Sequence, residues 1–456
     1  MSDRSSPPVP EPTTPFWRTA THPLDRHRST SDLPSKCDIV IVGAGFAGAA
    51  LAHFLYKSNP SPPSVVILEA REACSGATAR NGGHLKPDIY FNIPKHIKKY
   101  GARAAAEVAQ FETSQVLAVK ELVEQEKIEC DFVLTRACDV FLEEKLAKET
   151  EVAFTDLAKS GKADLKDVHF TPRCDAERVS RGALNCFTFT AGHIWPYKMV
   201  MHLLEGVVKK GANLQTMTPV THIAETPGSD GKWLVTTERG GIKACKVLLA
   251  TNAYSSHLAP QFTNHIIPVR GICSRIVVPE NKVATFLPQT YSIRHGDAMY
   301  DYLIPRPDGS IIVGGAKPPF WSDSSHWYGV TDDSKLIEPA KSWFDGLMQR
   351  TFIGWENSGA YTDRVWTGIM GYSSDFMPYV GEVPGKQNQM ILAGFSGHGM
   401  PLILLCAKAI AEMVRNGTPF EDTGVPSVFR VTEERLTSTR NEVLEEIQKQ
   451  DARSRL

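Results

Sequence analysis

The sequence predicts an α/β protein in which a nucleotide-binding domain, built from discontinuous segments, is interleaved with a second domain carrying a largely antiparallel sheet. Two strand–glycine turn–helix units at opposite ends of the chain, CDIVIVGAGFAGAALAHFLYK (37–57) and MILAGFSGHGMPLILLCAKAIAEMV (390–414), predict the first domain. Stretches between them that alternate apolar and polar residues predict the second. With 456 residues the chain exceeds one simple core, so two or three domains are expected, with room to bury a large ligand.

The leader (1–36) is too rich in Pro, Ser and Thr for a compact core and reads as an arm, either disordered or draped over the body. It lacks the apolar h-region of a secretory signal. CDIVIV (37–42) is the continuous apolar run of a buried parallel strand, GAGFAG (43–48) a turn, AALAHFLYK (49–57) a helix and SVVILEA (64–70) the next strand. Residues 93–125 have helical spacing, with Glu and Lys on the outer face; 130–144 alternates as strands and 145–160 is helical. HIWPYKMVMHLLEGVVKKGANL (193–214) is a Pro-started helix feeding a strand. WLVTTE (233–238) and CKVLLATNA (245–253) read as a hairpin returning to the first sheet. PVRGICSRIVVP (268–279), MYDYLIPRPDGSIIVGG (299–315) and VWTGIMGYSS (365–374) alternate, with a turn at Pro307, Asp308 and Gly309, and predict the antiparallel sheet. The domains follow: arm 1–36; nucleotide-binding domain 37–98, 190–258 and 363–428; substrate domain 99–189 and 259–362; charged helix or tail 429–456.

Lys plus Arg total 50 against 51 Asp plus Glu, so no broad attraction to nucleic acid or anionic membrane is expected. No apolar run reaches the roughly eighteen residues of a membrane span. Nine cysteines without a CxxC pair argue against structural zinc, a redox dithiol or a disulfide framework, and no metal site is expected. The expected partner is a small molecule.

Gly43, Gly45 and Gly48 form GxGxxG between strand and helix, the Rossmann arrangement, and Glu69 ends the following strand. Gly43 permits the tight turn, Gly45 lets a pyrophosphate approach the backbone, and Gly48 lets helix and strand pack closely. The helix N-terminus adds free N–H groups and a positive dipole end. Glu69 would accept ribose hydroxyls and repel the 2′-phosphate of NADP, which leaves NAD or FAD. The small residues of SGATARNGGH (75–84) and the donors of GFSGHGM (394–400), at the start of a second helix, favour the flavin.

Together GAGFAG, LEAREACSGATARNGGH, ATNAYSS, WTGIMGYSSDFMPYVG and GFSGHGM resemble the FAD-dependent D-amino-acid oxidase and sarcosine oxidase superfamily over about residues 37–425. SGATARNGGH most resembles the branch of γ-glutamylputrescine oxidase-like amine oxidases. The resemblance implies a Rossmann-type FAD-binding domain in which Gly43, Gly45, Phe46, Ala47 and Gly48 hold the pyrophosphate of FAD. It places Glu69, Ala70, Arg71 and Val220 at the adenosine, and Thr251 and Asn252 in a second nucleotide-contacting turn. Ser75, Thr78, Arg80, Asn81, Gly82, Gly83 and His84 run along the flavin side, and Gly397, His398, Gly399 and Met400 meet the isoalloxazine. His84 is the nearest candidate for a covalent flavin link, set against a histidine that only hydrogen-bonds.

The activity so implied is oxidation of a primary or secondary amine or amino-acid derivative: hydride transfer from the C–H next to nitrogen to flavin N5, hydrolysis of the imine, and reduction of O2 to H2O2. A dehydrogenase using another acceptor and a non-catalytic flavin-stabilised binding protein are the alternatives. Where amino-acid-oxidising relatives grip the carboxylate with an Arg, this chain has Met370, which offers no charge-assisted pairing; Arg270 and Arg306 are substitutes, the latter in a turn that also suits a solvated role. Tyr300, Tyr302, Trp366 and Tyr372 are candidates for the walls of an amine pocket. Where sarcosine oxidases place a lysine that assists oxygen, the strand here has Ile311, Ile312 and Val313, and Lys317 lies too far along to be equated with it, so oxygen use does not follow from that motif. Lastly, Ser454, Arg455 and Leu456 read as an address for a peroxisomal import receptor, which suits a peroxide-producing enzyme.

Overall fold

The computed structural model describes residues 5–446 and 448. Its first sheet is centred on parallel strands in the order Gln389–Ala393, Gly240–Leu249, Lys36–Val42, Val65–Leu68, Asn213–Gln215. Tyr379–Glu382 adds antiparallel at one edge, and Trp233–Thr237 and Val220–Ile223 extend from Gly240–Leu249 as a meander. Ile39–Val42, Val247–Leu249 and Val65–Leu68, the parts of the central strands covered on both faces, are apolar without interruption. Helices Phe46–Tyr56, Pro196–Lys209 and Ile403–Asn416 pack together over one face. A cluster around Trp233, Phe262 and Tyr379 fills the other.

The second sheet runs Tyr361–Ser373, Ile266–Val277, Ile311–Gly314, Tyr300–Pro305, Thr290–Arg294, Val133–Phe141, Asn185–His193, His84–Leu85. It is antiparallel except where Thr290–Arg294 meets Val133–Phe141. Three segments expected in the nucleotide-binding domain lie in this sheet, the first being His84–Leu85, which pairs with Gly192 and His193. Asn185–His193 pairs with Val133–Phe141, so its last residues, 190–193, stand here. Tyr361–Ser373 pairs along its length with Ile266–Val277, so 363–428 divides between the sheets after Ser373. Alternation explains this: a strand with polar residues on one face suits an antiparallel sheet better than the centre of a parallel one. Of the eight cysteines whose side chains are described, seven are buried and Cys245 is exposed.

The arm is draped over the body and fills its core. Trp17 is fully buried, donating its indole N–H to Asn81 O (2.6 Å) and accepting that of Trp195 (2.8 Å). Thr13 sits at a junction, its Oγ1 accepting from Arg80 Nη1 (3.1 Å) and donating to Asp333 O (3.0 Å). Thr13→Val should therefore lower holoprotein stability by about 1–3 kcal/mol, read as a shifted urea midpoint, because it strands polar partners in the interior. At the other end, the chain after the short helix Glu433–Thr437 returns to the body, where the Glu442 N–H meets Ser374 O (2.8 Å) and Val443 is buried. Ser454, Arg455 and Leu456 lie outside the described residues.

Candidate active site

At the GAGFAG turn the backbone leaves no room for side chains. Gly43 has φ +108°, and a Cβ there would lie 2.6 Å from Ala250 O. A Cβ on Gly48 would lie 1.8 Å from Gly43 O, so the helix rests on the strand's end. Gly45 caps the helix without a side-chain bond, which leaves this helix end open to an anion. Flanking polar groups fix the turn: Thr78 Oγ1 accepts the Phe46 N–H (3.0 Å), and Glu69 accepts the Ala44 and Arg71 N–H groups (2.9 and 3.0 Å).

A cavity of about 830 Å³ runs from this turn to the Gly397–Met400 turn of the second unit. All residues expected around FAD line it except Gly48, Ser75 and Gly83. Gly48 serves helix packing, and Ser75 offers its buried carbonyl to Arg80 Nε (2.8 Å). Gly83 lies where a Cβ would fall 2.4 Å from Ile194 O. A bare glycine cradle, an open helix end and an acidic residue at the second strand together fit FAD.

Two lining arginines act mainly on the protein itself. Arg71 grips Asp333 with both terminal nitrogens (2.9 and 3.1 Å), and Arg80 Nε approaches the same carboxylate at 3.2 Å while Nη1 donates to Thr367 O (2.6 Å). Asp333 was not singled out by sequence reasoning; it stands in a loop with no motif around it.

At the far end, Met370 and Tyr372 press on Gly397, where a Cβ would lie 3.2 Å from Met370 Sδ and 3.0 Å from Tyr372 Oη. Tyr302 lies against both Gly82 and Gly314, and Tyr300 stands 6.3 Å from it, ring to ring. All four residues line the cavity. Trp366 does not: it shares a strand face with Met370 but sits four residues away, roughly 13 Å along the strand, buried with its indole N–H on Arg80 O (2.9 Å). The Arg270 guanidinium is engaged by His326 O (2.9 Å) and Asp332 O (3.3 Å). Arg306 is buried, not solvated, because it pairs with Asp131 (2.9 Å) over the rings of Phe16, Trp17 and Trp195.

Buried charges complete the site. Asp139 accepts from Lys86 (3.0 Å), Arg294 (3.1 Å) and Tyr90 Oη (2.7 Å). Glu112, expected on an exposed helix face, is buried and accepts from the Asp88 N–H (2.6 Å) and His398 Nε2 (2.7 Å). The helix has neighbours on both sides, so spacing alone misassigned that face. Sequence reasoning missed this group; its one signal was Asp139 within an otherwise apolar half-strand. Burial lowers the pKa of His84, helped by Lys86 and His193, so its ring is neutral with Nε2 on Thr290 Oγ1 (2.7 Å). Burial disfavours the His398 imidazolium, but Glu112 outweighs it and raises that pKa. Its role thus extends beyond shaping the GHG turn.

Burial also works to raise the Asp139 carboxyl, and Lys86 and Arg294 overcome it, holding the group well below the carboxylate range. The unfolded carboxyl, near 3.9, therefore binds its proton more tightly than the folded one. This stabilisation is present above about pH 4 and lost as pH falls toward the folded value. Melting midpoints recorded from pH 6 down to pH 3 should fall, and Asp139→Asn should flatten that slope.

Among the described residues no helix is long and apolar enough to cross a membrane, and no His, Cys, Asp and Glu cluster suits a metal ion. Comparison with known proteins agrees with the cradle. The model of the family described as FAD dependent oxidoreductase (DAO) matches residues 38–413, through both sheets. The chain is 25% identical over 388 residues to the gamma-glutamylputrescine oxidoreductase of Escherichia coli (strain K12), covering 83% of this chain and 84% of that one. In fold it is similar to glycine oxidase from Geobacillus kaustophilus (TM-score 0.66, 18% identity, 88% of this chain and 99% of that one). It is also similar to L-amino acid deaminase from Proteus myxofaciens (TM-score 0.68, 16% identity, 96% of this chain and 100% of that one). With its glycine cradle, its second strand–turn–helix unit and a family match across most of its length, the chain belongs to the FAD dependent oxidoreductase (DAO) family, with FAD as its cofactor.

Proposed function

We propose that the protein is an amine oxidase acting on a primary or secondary amine or an amino-acid derivative, with O2 as acceptor and H2O2 as product. The observation that carries this reading is one continuous cavity from the glycine cradle to a chamber walled by Tyr300, Tyr302, Met370 and Tyr372. Bound FAD supplies the hydride acceptor, N5, for the C–H next to nitrogen. The chain's part is to orient that bond and exclude water. Ring faces favour an amine at the mouth, and the low-dielectric interior favours its neutral, oxidisable form. The imine released is hydrolysed by water to a carbonyl compound and a smaller amine.

Purified holoprotein should be yellow and bleach anaerobically with an amine from a panel, then recover its colour on admission of air with one peroxide formed per turnover. Bleaching without recovery in air would assign the dehydrogenase reading. Protein that stays colourless after refolding with FAD would sink both. Acid precipitation tests the flavin link: with His84 Nε2 on Thr290, flavin should stay in the supernatant.

We place this chemistry in the peroxisome, on the support of Ser454-Arg455-Leu456 and of a peroxide product. A fluorescent fusion should lose punctate import when these three residues are deleted; import that persists would refute the address.

A further inference from the structure

Most cations lining the cavity are already engaged. Arg71 and Arg80 share Asp333, Lys86 and Arg294 share Asp139, Arg270 is held by two backbone carbonyls, and those at the rim meet carboxylates. Lys317 differs. Among the described residues no ion pair holds it, and its Nζ lies over the faces of Trp321 (4.1 Å) and Tyr300 (5.4 Å).

Its position is built, not incidental. After the strand Ile311–Gly314 the chain bends through Gly315 (φ +124°) and Ala316 (φ +51°), the second a conformation that residues with a Cβ rarely adopt. Asp301, fully buried, holds the bend by accepting the Ala316 N–H (2.7 Å), and its other oxygen meets Trp343 Nε1 (2.9 Å) and His295 Nε2 (3.0 Å). Beneath the ammonium, Trp321 stacks on Trp327 at 3.8 Å and 6°. A fixed bend and a fixed ring pair thus present a half-buried ammonium to the cavity. Burial lowers its pKa to about 8, with Glu446 favouring and Arg294 opposing the charged form, so it is mostly charged at neutral pH.

We propose that Lys317 is an anion subsite that binds a carboxylate carried by the amine substrate at a distance from the reacting carbon. Two rings stand in sequence between Lys317 and the cofactor wall: Lys317 Nζ lies 5.4 Å from the Tyr300 ring, that ring 6.3 Å from Tyr302, and Tyr302 6.4 Å from His84. A carboxylate on the reacting carbon would instead lie near Met370, which has nothing to offer it. The substrate class is therefore an extended amine ending in a carboxylate, such as an ω-amino acid, and not a simple α-amino acid. This assignment rests on the amine-oxidase reading for the reacting end only.

The test uses holoprotein and two unreactive probes, pentanoate and pentanamide, titrated calorimetrically at pH 7. Wild type should bind pentanoate about tenfold to a hundredfold more tightly than the amide, the range of one charge-assisted bond. Lys317→Met should abolish that preference and Lys317→Arg should keep most of it, with bound FAD and melting point confirming each fold. Equal binding of both probes to wild type, or an unchanged preference in Lys317→Met, would overturn the subsite. Should Lys317→Met not fold, the wild-type and Lys317→Arg preferences decide. Should no amine bleach the flavin while pentanoate is still preferred, the amine reading fails and the anion subsite stands.

Discussion

Gly48→Ala should give a protein that holds no flavin. The added methyl would lie 1.8 Å from Gly43 O, a backbone atom with little freedom to retreat. The Gly43 N–H is bonded to Leu68 O (2.8 Å), and the Ala250 N–H on the next strand to Val42 O (2.9 Å), so the turn is clamped between two parallel strands. Gly43 is itself confined by Ala250 O and holds φ +108°, a conformation that glycine alone reaches without strain. Relief must come from the helix Phe46–Tyr56 moving off the strand, which takes its N-terminal N–H groups away from the pyrophosphate position. Overpacking of this kind costs about 1–3 kcal/mol or more. Loss of the helix end adds to that in binding, so the FAD Kd should rise by about a hundredfold or more. Absorbance of bound flavin after purification, and fluorescence titration of apoprotein with FAD, measure it. Gly206→Ala, in the helix Pro196–Lys209 and away from the cavity lining, is the control: nothing lies within 4 Å of the added methyl, and this variant should stay yellow.

The same glycines show why the cofactor domain was legible in the sequence. A turn that excludes side chains and a strand that must be apolar on both faces each dictate residue types locally, so GAGFAG and CDIVIV announce themselves. Arg270, Arg306 and Trp366 show the opposite. Whether a guanidinium is available depends on which carbonyls or carboxylates reach it from distant segments: Asp131 lies 175 residues before Arg306, and the carbonyls that engage Arg270 come from a loop more than fifty residues on. Strand alternation placed Trp366 on the face of Met370, but not how far along the strand the cavity extends. Lys317 was passed over because it lies beyond the strand where a lysine was sought; the bend at Gly315 and Ala316 carries it back to the cavity. Asp139 and Glu112 belong to the same class, since their partners come from other elements.

Asp333→Asn should be the most damaging single change outside the cradle, and for a reason of charge. The side chain is almost fully buried and accepts from two guanidinium groups that are buried as well. Asparagine keeps the shape and removes the charge, which leaves Arg71 and Arg80 facing each other with no counter-ion. Burial already pushes the Arg80 guanidinium down to about 10, with Asp333 opposing and Arg71 reinforcing that shift. Breaking a buried pair from one side costs about 3–5 kcal/mol. The loss should also spread, because Arg71 donates to Val9 O (3.1 Å) and Arg80 to Thr13 O (2.6 Å), while the Asp333 carbonyl accepts the Thr13 N–H (2.8 Å). The carboxylate thus holds in place the two arginines that anchor Val9 and Thr13 of the arm on the cofactor wall. The expected result is a holoprotein whose urea midpoint falls by that amount, whose arm is cut by protease well before the body, and whose flavin is lost on dialysis. A midpoint within about 0.5 kcal/mol of wild type, the range of an ordinary surface change, would mean that the arginines find other partners and that the arm is held by its remaining contacts, Trp17 and the Thr13 N–H among them.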